Sequence, residues 1–473
     1  VKDNHSGLHG TSQQGSHLDR TLQNRHIQLI AIGGAIGTGL FMGSGKTISL
    51  AGPSILFVYL SIGLVLYLFM RLMGELLLSN SRYATFADIA HDLLGPVAGF
   101  LTGWTYWFCW VVTAVADLIA IVGYTHFWWP QLPAWIPIIL VIGCLYSLNA
   151  LTVKAFGEIE FWFALIKICA ILALIVVGLW MVVSHVPNES GDPAALSNLW
   201  SHGGLFPLGF YGFLAGFPIA IFAFMGIELV GTTVAETKNP ETMLPKAINS
   251  IPMRIMLFYI GALAVIMMVT PWNEVDPGKS PFVTMFALTG LAAAASIVNI
   301  VVLSSAASSA NSGIYSTSRM LWGLAHRGDA PQAFKVLSRR RVPQNALFLT
   351  CVLLLSSIVL ISAGESVIQA FTMITAMAST LVMAVWAIIT MSYLKFRKTH
   401  DDLHRKSVFP APFGILAAWV VLAFFAAMVC VLAFESDTRI GLIASAVWII
   451  GMGTAAKIRQ GRQRTSEAET TLG

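Results

Sequence analysis

The sequence predicts an all-α polytopic membrane protein of twelve transmembrane helices, and three observations predict it. The 473 residues are 56% hydrophobic and 11% charged, with a mean hydropathy of +0.75, where a soluble protein carries roughly 25% charge. Apolar runs recur from about residue 26 to 456, in lengths near the 20 or so residues that cross a hydrocarbon core of about 30 Å. Lysine and arginine collect in alternate connecting segments, as the positive-inside rule requires. A string of soluble domains is excluded, because the ionic surface it needs is missing.

The spans fall near 26–48, 53–78, 98–128, 135–151, 158–184, 210–235, 254–270, 284–322, 345–363, 366–394, 413–434 and 438–456, the run 284–322 having room for an added amphipathic stretch. With both termini cytoplasmic, 23 of the 28 Lys and Arg lie in inner segments, Lys279 and Arg439 lie outside, and Lys46, Arg71 and Lys167 sit in or near spans. An odd number of spans breaks this bias. The net charge of +5 implies membrane lipids as partners and no nucleic acid, since basic loops face an anionic leaflet. Residues 1–25, polar and rich in Gly, Ser, Gln and His, read as a disordered cytoplasmic tail without a cleaved signal. Helices one to ten occupy 26–394, a basic cytoplasmic loop 395–412, helices eleven and twelve 413–456, and a cytoplasmic tail 457–473.

Two spans carry interruptions. The first reads NRHIQLIAIGGAIGTGLFMGSG, with Gly33, Gly34, Gly37 and Gly39 midway along an apolar segment. Each glycine costs a continuous helix roughly 1 kcal/mol relative to alanine and permits unwound dihedrals. The sixth, FAFMGIELVGTT, holds Gly226, Glu228 and Gly231 after Pro218. A break at membrane depth frees amides and carbonyls that protein or ligand must satisfy; close packing of small residues is the plainer alternative. Spans one and six are equivalent positions if the first ten form two inverted repeats of five, which predicts a 5+5 inverted-repeat core, interrupted helices 1 and 6, and a midplane site between them. Half-helix amides attract a carboxylate and exposed carbonyls an ammonium, so such a site suits an α-amino acid.

Charged and polar residues inside spans supply further candidates. Glu228 costs about 2.5–3.5 kcal/mol in lipid on insertion scales, so it faces the bundle interior, in transport or gating or as a packing residue. Lys167, in EIEFWFALIKICAIL, needs carbonyls, a carboxylate or water. It can stand in for a sodium ion beside span one, or snorkel to an interface. Glu75 follows Arg71 by four residues at the inner end of span two, a spacing that predicts a pair on one face. Asp117, midway along span three, lines a polar cavity or is a hydrogen-bonded structural carboxylate. Span eight, SSAASSANSGIYSTSRM, is dense in small residues around Asn311, which predicts close packing first and a solvated pathway second.

Other chemistries find no support. The five cysteines (Cys109, Cys144, Cys169, Cys351, Cys430) lie in apolar stretches without metal or redox spacing, as buried small hydrophobes do. The eleven histidines are scattered and make no zinc pattern with a carboxylate. GSGKT at 43–47 is no phosphate loop, because residue 40 is Leu where GxxxxGK[ST] needs glycine. No metal and no cofactor is implied, and no compact set of nucleophile, base and orienting residue points to an enzyme. An ion gradient is left as the energy source.

The stretches NRHIQLIAIGGAIGTGLFMGSG, GEIEFWFALIK, GIELVGTTVAETKNPE and SSANSGIYSTSRM carry a resemblance over about residues 20–456. The chain resembles a bacterial amino acid permease of the amino acid, polyamine and organocation superfamily. That resemblance implies a multi-pass protein of the bacterial plasma (inner) membrane, with residues 26–394 as transport core, importing small neutral amino acids by proton-driven symport. Glycine, D-serine, D-alanine and L-alanine are the implied substrates; larger ones such as aromatic residues or γ-aminobutyrate, or a receptor that moves no solute, are the alternatives. It implies that Ile36, Gly37, Thr38 and Gly39 match the carboxylate-binding backbone, and that Phe222, Ala223, Phe224 and Gly226 match the region at the amino group or side chain. Lys167 matches a fifth-helix lysine at the ion position of sodium-coupled relatives, Glu228 an acidic coupling residue, and Glu236 an acidic residue at the inner end of helix six. A pocket narrowed near Phe222, Phe224 or Trp107 would suit small substrates.

Overall fold

The computed structural model describes residues 36–80, 83, 85–150, 153–232, 239–291, 293–363 and 366–472. The expected tail 1–25, the first ten residues of span one and Glu236 lie outside the described residues. The described chain is helical, without a β-strand: α1 (Thr38–Phe41), α2 (Gly43–Ala51), α3 (Ile55–Ser79), α4 (Phe86–Leu94), α5 (Pro96–His126), α6 (Trp135–Asn149), α7 (Val153–Val183), α8 (Gly209–Ala215), α9 (Phe217–Ala223), α10 (Leu229–Thr232), α11 (Pro240–Asn249), α12 (Ile251–Arg254), a π-helical segment (Ile255–Gly261), α13 (Ala262–Val269), α14 (Pro281–Ala287), α15 (Ala294–His326), α16 (Gln344–Leu354), α17 (Ser356–Ala363), α18 (Val367–Thr399), α19 (Asp401–Arg405), α20 (Gly414–Phe434) and α21 (Ser436–Leu472).

Nine stretches among the described residues are long and apolar enough to cross a membrane, and two shorter apolar helices, Trp135–Asn149 and Gly209–Ala223, stand where the fourth and sixth spans were expected. The long run near 284–322 divides into the short α14 and the 33-residue α15. α21 continues as helix through the expected tail to Leu472.

Burial sorts the spans into centre and rim. The apolar window of α5 is 89% inside the protein, whereas that of α21 is 17% inside; α5 is therefore the hub, packed along α15 and α18, and α21 faces lipid. The amphipathic α4 is too short to span. It starts on a capping box, in which Thr85 accepts from the Asp88 amide and Asp88 from the Thr85 amide, and it buries Phe86, Ile89 and Leu93, so it lies as a connector against α5.

The loop after α18 is tied down by a carboxylate whose partner differs from the one that helix spacing predicts. Glu75 is fully buried and accepts from the Tyr393 hydroxyl at 3.0 Å and the Ala411 amide at 2.8 Å, and it pairs with His404. Arg71 turns instead to Asn249 Oδ1 at 3.0 Å and the Pro410 carbonyl at 2.6 Å, its guanidinium 3.8 Å above the Phe409 ring. The expected Arg71–Glu75 pair gives way because a buried carboxylate must fill several acceptor positions, and α18 with its following loop offers three donors at once.

Candidate functional site

α9 carries a proline in its first turn and stops at Ala223; residues 224–228 are turns, and α10 begins at Leu229. Gly226 makes the turn possible, with φ +97°, a region that side-chain-bearing residues rarely adopt. The turn is held from within. The Gly226 amide donates to Glu228 Oε2 at 3.1 Å, and the Tyr106 hydroxyl of α5 donates to Oε1 at 3.1 Å. Glu228 is 0% exposed, so its carboxylate works here as the staple of an irregular backbone that lipid would leave unsatisfied.

α1 begins beside the end of α9. Gly37 is its N-cap in extended conformation, and a Cβ on Gly39 would come within 2.5 Å of the Ala223 backbone, so only glycine lets the two segments touch. Gly37, Thr38 and Gly39 face Phe222, Ala223 and Met225 across a narrow cleft that Trp110, Thr113 and Ser309 complete. Its volume is ≈ 10 Å³, the room of about one water. An amino acid can enter only if the walls separate.

Behind the cleft lies a polar layer. The Thr38 hydroxyl donates to Asp117 Oδ1 at 2.7 Å, while Oδ2, equally buried, has no donor in good hydrogen-bond geometry among the described residues, the Ser309 hydroxyl being the other polar group that meets this carboxylate. Lys167, 1% exposed, feels the carboxylates of Glu160 and Asp117. Glu160 accepts from the Ser308 hydroxyl at 2.7 Å, and Ser305 donates to the Ile36 carbonyl at 3.4 Å, so two α15 hydroxyls bind the carboxylate of α7 and the backbone just before α1. Snorkelling of Lys167 is excluded by its burial.

The structure thus brings Gly37, Thr38, Gly39, Phe222 and Ala223 into one cleft, with Ile36, Asp117 and Lys167 next to it. Other candidates stand apart. Phe224 stacks on Tyr259, centroids 4.9 Å apart. Trp107 packs edge-on against Trp104 at 5.3 Å, and it is Trp110, one turn further along α5, that faces the cleft. Asn311 accepts from Asn149 Nδ2 at 2.8 Å in a buried amide pair joining α15 to α6. Gly226 and Glu228 form the turn, and Glu75 sits in the latch at α18. Sequence reasoning missed Glu160, although it precedes Lys167 by seven residues and so shares its helix face, and it missed Thr113, Met225 and Ser309, whose residue types carry no signal in an apolar span.

A larger cleft of ≈ 560 Å³ opens at the end of α4, lined by Asp88, His91, Asp92, Arg327, Asp329 and Arg459 among others. Its charges already serve one another: Arg327 meets Asp88 at 2.6 Å and Asp329 at 3.3 Å, and Arg459 pairs with Asp329. Tyr83 donates to Asp92 at 2.5 Å, and burial together with that carboxylate raises its phenol above the ordinary range. This cleft joins α4, α15 and α21 rather than lying between the interrupted segments.

Helices of membrane length around a cleft between α1 and the end of α9 fit a membrane transport protein, and the chain belongs to the amino acid permease family, whose model matches residues 26–468. It is a multi-pass inner-membrane protein. Among particular relatives, it is 60% identical over 436 residues to the D-serine/D-alanine/glycine transporter of Escherichia coli (strain K12), covering 92% of this chain and 93% of that one. It is 51% identical over 437 residues to the amino-acid permease AapA of Bacillus subtilis (strain 168), with 92% and 94% covered. It is 41% identical over 443 residues to the aromatic amino acid transport protein AroP of Shigella flexneri, with 93% and 95% covered.

Proposed function

We propose that the chain is a proton-coupled symporter that imports glycine, D-alanine, D-serine and L-alanine by alternating access at the cleft between α1 and α9. The observation that carries this is the meeting of Gly37–Gly39 with Phe222–Ala223 beside the fully buried carboxylate of Asp117, which the Thr38 hydroxyl ties to α1. The amides that open α1 take the substrate carboxylate, and the carbonyls that end α9 take its ammonium. The break at 224–228 and the Gly37 cap support the reading of spans one and six as interrupted helices in a twelve-helix, five-plus-five inverted-repeat bundle, with both termini cytoplasmic on the Lys and Arg bias.

Coupling falls to the layer behind the cleft. Asp117 Oδ2 is the acceptor for a proton, and Lys167 with Glu160 sets the charge around it; Glu228 keeps the turn, and Glu236 remains a candidate at the inner end of the same span. Small substrates follow from a cleft walled by Phe222 and Trp110 and from the D-serine, D-alanine and glycine for which the 60% identical relative is named. A permease for aromatic amino acids is the second reading, which the 41% relative favours.

Uptake of radiolabelled glycine and D-alanine into proteoliposomes, with and without an inward proton gradient, tests the reading. Accumulation that follows the gradient and is competed by D-serine is expected. Exchange that ignores the gradient would remove symport, and competition by phenylalanine alone would move the chain to the aromatic class.

A further inference from the structure

The π-helical segment Ile255–Gly261 interrupts the span that runs from Pro240 to Val269. Hydrogen bonding from i to i+5 is rare, and such segments recur at functional sites. This one presents Tyr259 to the break after α9. Tyr259 is buried, its hydroxyl donates to the Ala223 carbonyl at 2.9 Å, and its ring lies flat on Phe224 with planes 6° apart. Tyr59 of α3 completes the cluster, 5.6 Å from each of the two rings.

Ala223 is both the last residue of α9 and part of the cleft wall. The carbonyls just before it serve the turn: Ile221 accepts from the Phe224 amide and Phe222 from the Met225 amide. The Ala223 carbonyl is tied to another span instead, and a carbonyl has two lone pairs. Using one fixes the direction of the other.

We propose that Tyr259 is a positioning residue for the transported amino acid, holding the Ala223 carbonyl in the direction that meets the substrate's ammonium and clamping Phe224 so that the turn cannot yield to a larger side chain. The proposal rests on the reading of the α1–α9 cleft as the substrate site. Tyr259 acts through Ala223 and touches no substrate itself.

Purified full-length wild type, Tyr259→Phe, Tyr259→Leu and Thr113→Leu, reconstituted into proteoliposomes, test it with glycine and D-alanine as probes. Half-saturation and maximum rate are read separately, together with the amino-acid concentration that half-raises the melting temperature in detergent. Tyr259→Phe keeps the stack and loses one neutral hydrogen bond, so half-saturation rises about fivefold for both probes while the maximum rate holds. Tyr259→Leu loses the clamp too, and valine then competes. A Tyr259→Phe protein that melts lower yet half-saturates as wild type in both measurements shows a merely structural tyrosine and overturns the proposal. Thr113→Leu fills the cleft. Normal uptake by that variant would overturn the cleft reading and this proposal with it, whereas loss of uptake there, beside an unchanged Tyr259→Phe, overturns the role of Tyr259 alone.

Discussion

Asp117 and Glu228 are both 0% exposed in the middle of apolar spans, yet their surroundings differ in one respect. Glu228 has a donor on each oxygen, from Gly226 and Tyr106. Asp117 has Thr38 on one oxygen, and its other oxygen makes no well-formed hydrogen bond although the Ser309 hydroxyl meets the carboxylate. A buried polar atom without a well-placed partner costs free energy, and on a carboxylate beside the cleft it leaves an acceptor position to fill. On the proposed function the difference separates the two carboxylates: Glu228 holds the turn after α9, and Asp117 is the acceptor used in the transport cycle.

The strongest attack on that division is Asp117→Asn, which keeps Oδ1 for Thr38 and removes the charge. A charge-assisted hydrogen bond of roughly 1.5–3 kcal/mol is at stake, so gradient-driven uptake of glycine should fall by about ten- to a hundredfold. The melting temperature of the purified protein should stay near wild type. Wild-type accumulation by Asp117→Asn would put the proton elsewhere.

Lys167→Ala comes next, because Lys167 acts on the same centre from α7. It should reduce uptake and change its pH dependence while the protein still inserts, since removing a buried cation from lipid depth favours insertion. Membrane fractions blotted alongside the uptake assay separate the two effects. Unchanged rate and pH profile would return Lys167 to packing.

For Glu228 the expected order is reversed, with stability ahead of activity. Glu228→Ala leaves the Gly226 amide and the Tyr106 hydroxyl buried without an acceptor, a loss of about 1–3 kcal/mol for each, and folded yield and melting temperature should drop. Glu228→Gln keeps an oxygen acceptor and should retain most of the uptake and its gradient dependence. If Glu228→Gln melts normally but uncouples uptake from the proton gradient, the two carboxylates share the coupling between them.

The sequence was most legible where lipid dictates the answer. Apolar length marked the spans, and Gly39 and Gly226 marked the close approach to Ala223 and the turn after α9, because no other residue permits that contact or readily adopts a φ of +97°. Partners distant in the chain were not legible. Glu228 meets Tyr106 across 122 positions, and Glu75 meets His404 across 329, separations at which helix spacing is silent. Periodicity also leaves the rotation of a helix open, so Trp107 and Trp110 were indistinguishable as pocket walls until α5 was packed. The Arg71–Glu75 expectation failed for a related reason: four-residue spacing puts two side chains on one face, and it says nothing of what else that face meets.

Tyr106→Phe provides the gentlest probe of the same comparison. It removes one of the two donors to Glu228 and keeps the ring against Phe86 at 5.1 Å and Trp110 at 6.4 Å. One hydrogen bond to a charged group is then lost, and the carboxylate keeps its bond to the Gly226 amide, so the expected cost is about 1–2 kcal/mol of stability, read as a modest fall in melting temperature with uptake still driven by the gradient. A larger fall in gradient-driven uptake than in melting temperature would mean that the hydrogen bond from α5 tunes the charge of Glu228 during transport. The turn after α9 would then be a moving part, and the division between a structural and a working carboxylate would have to be redrawn around both.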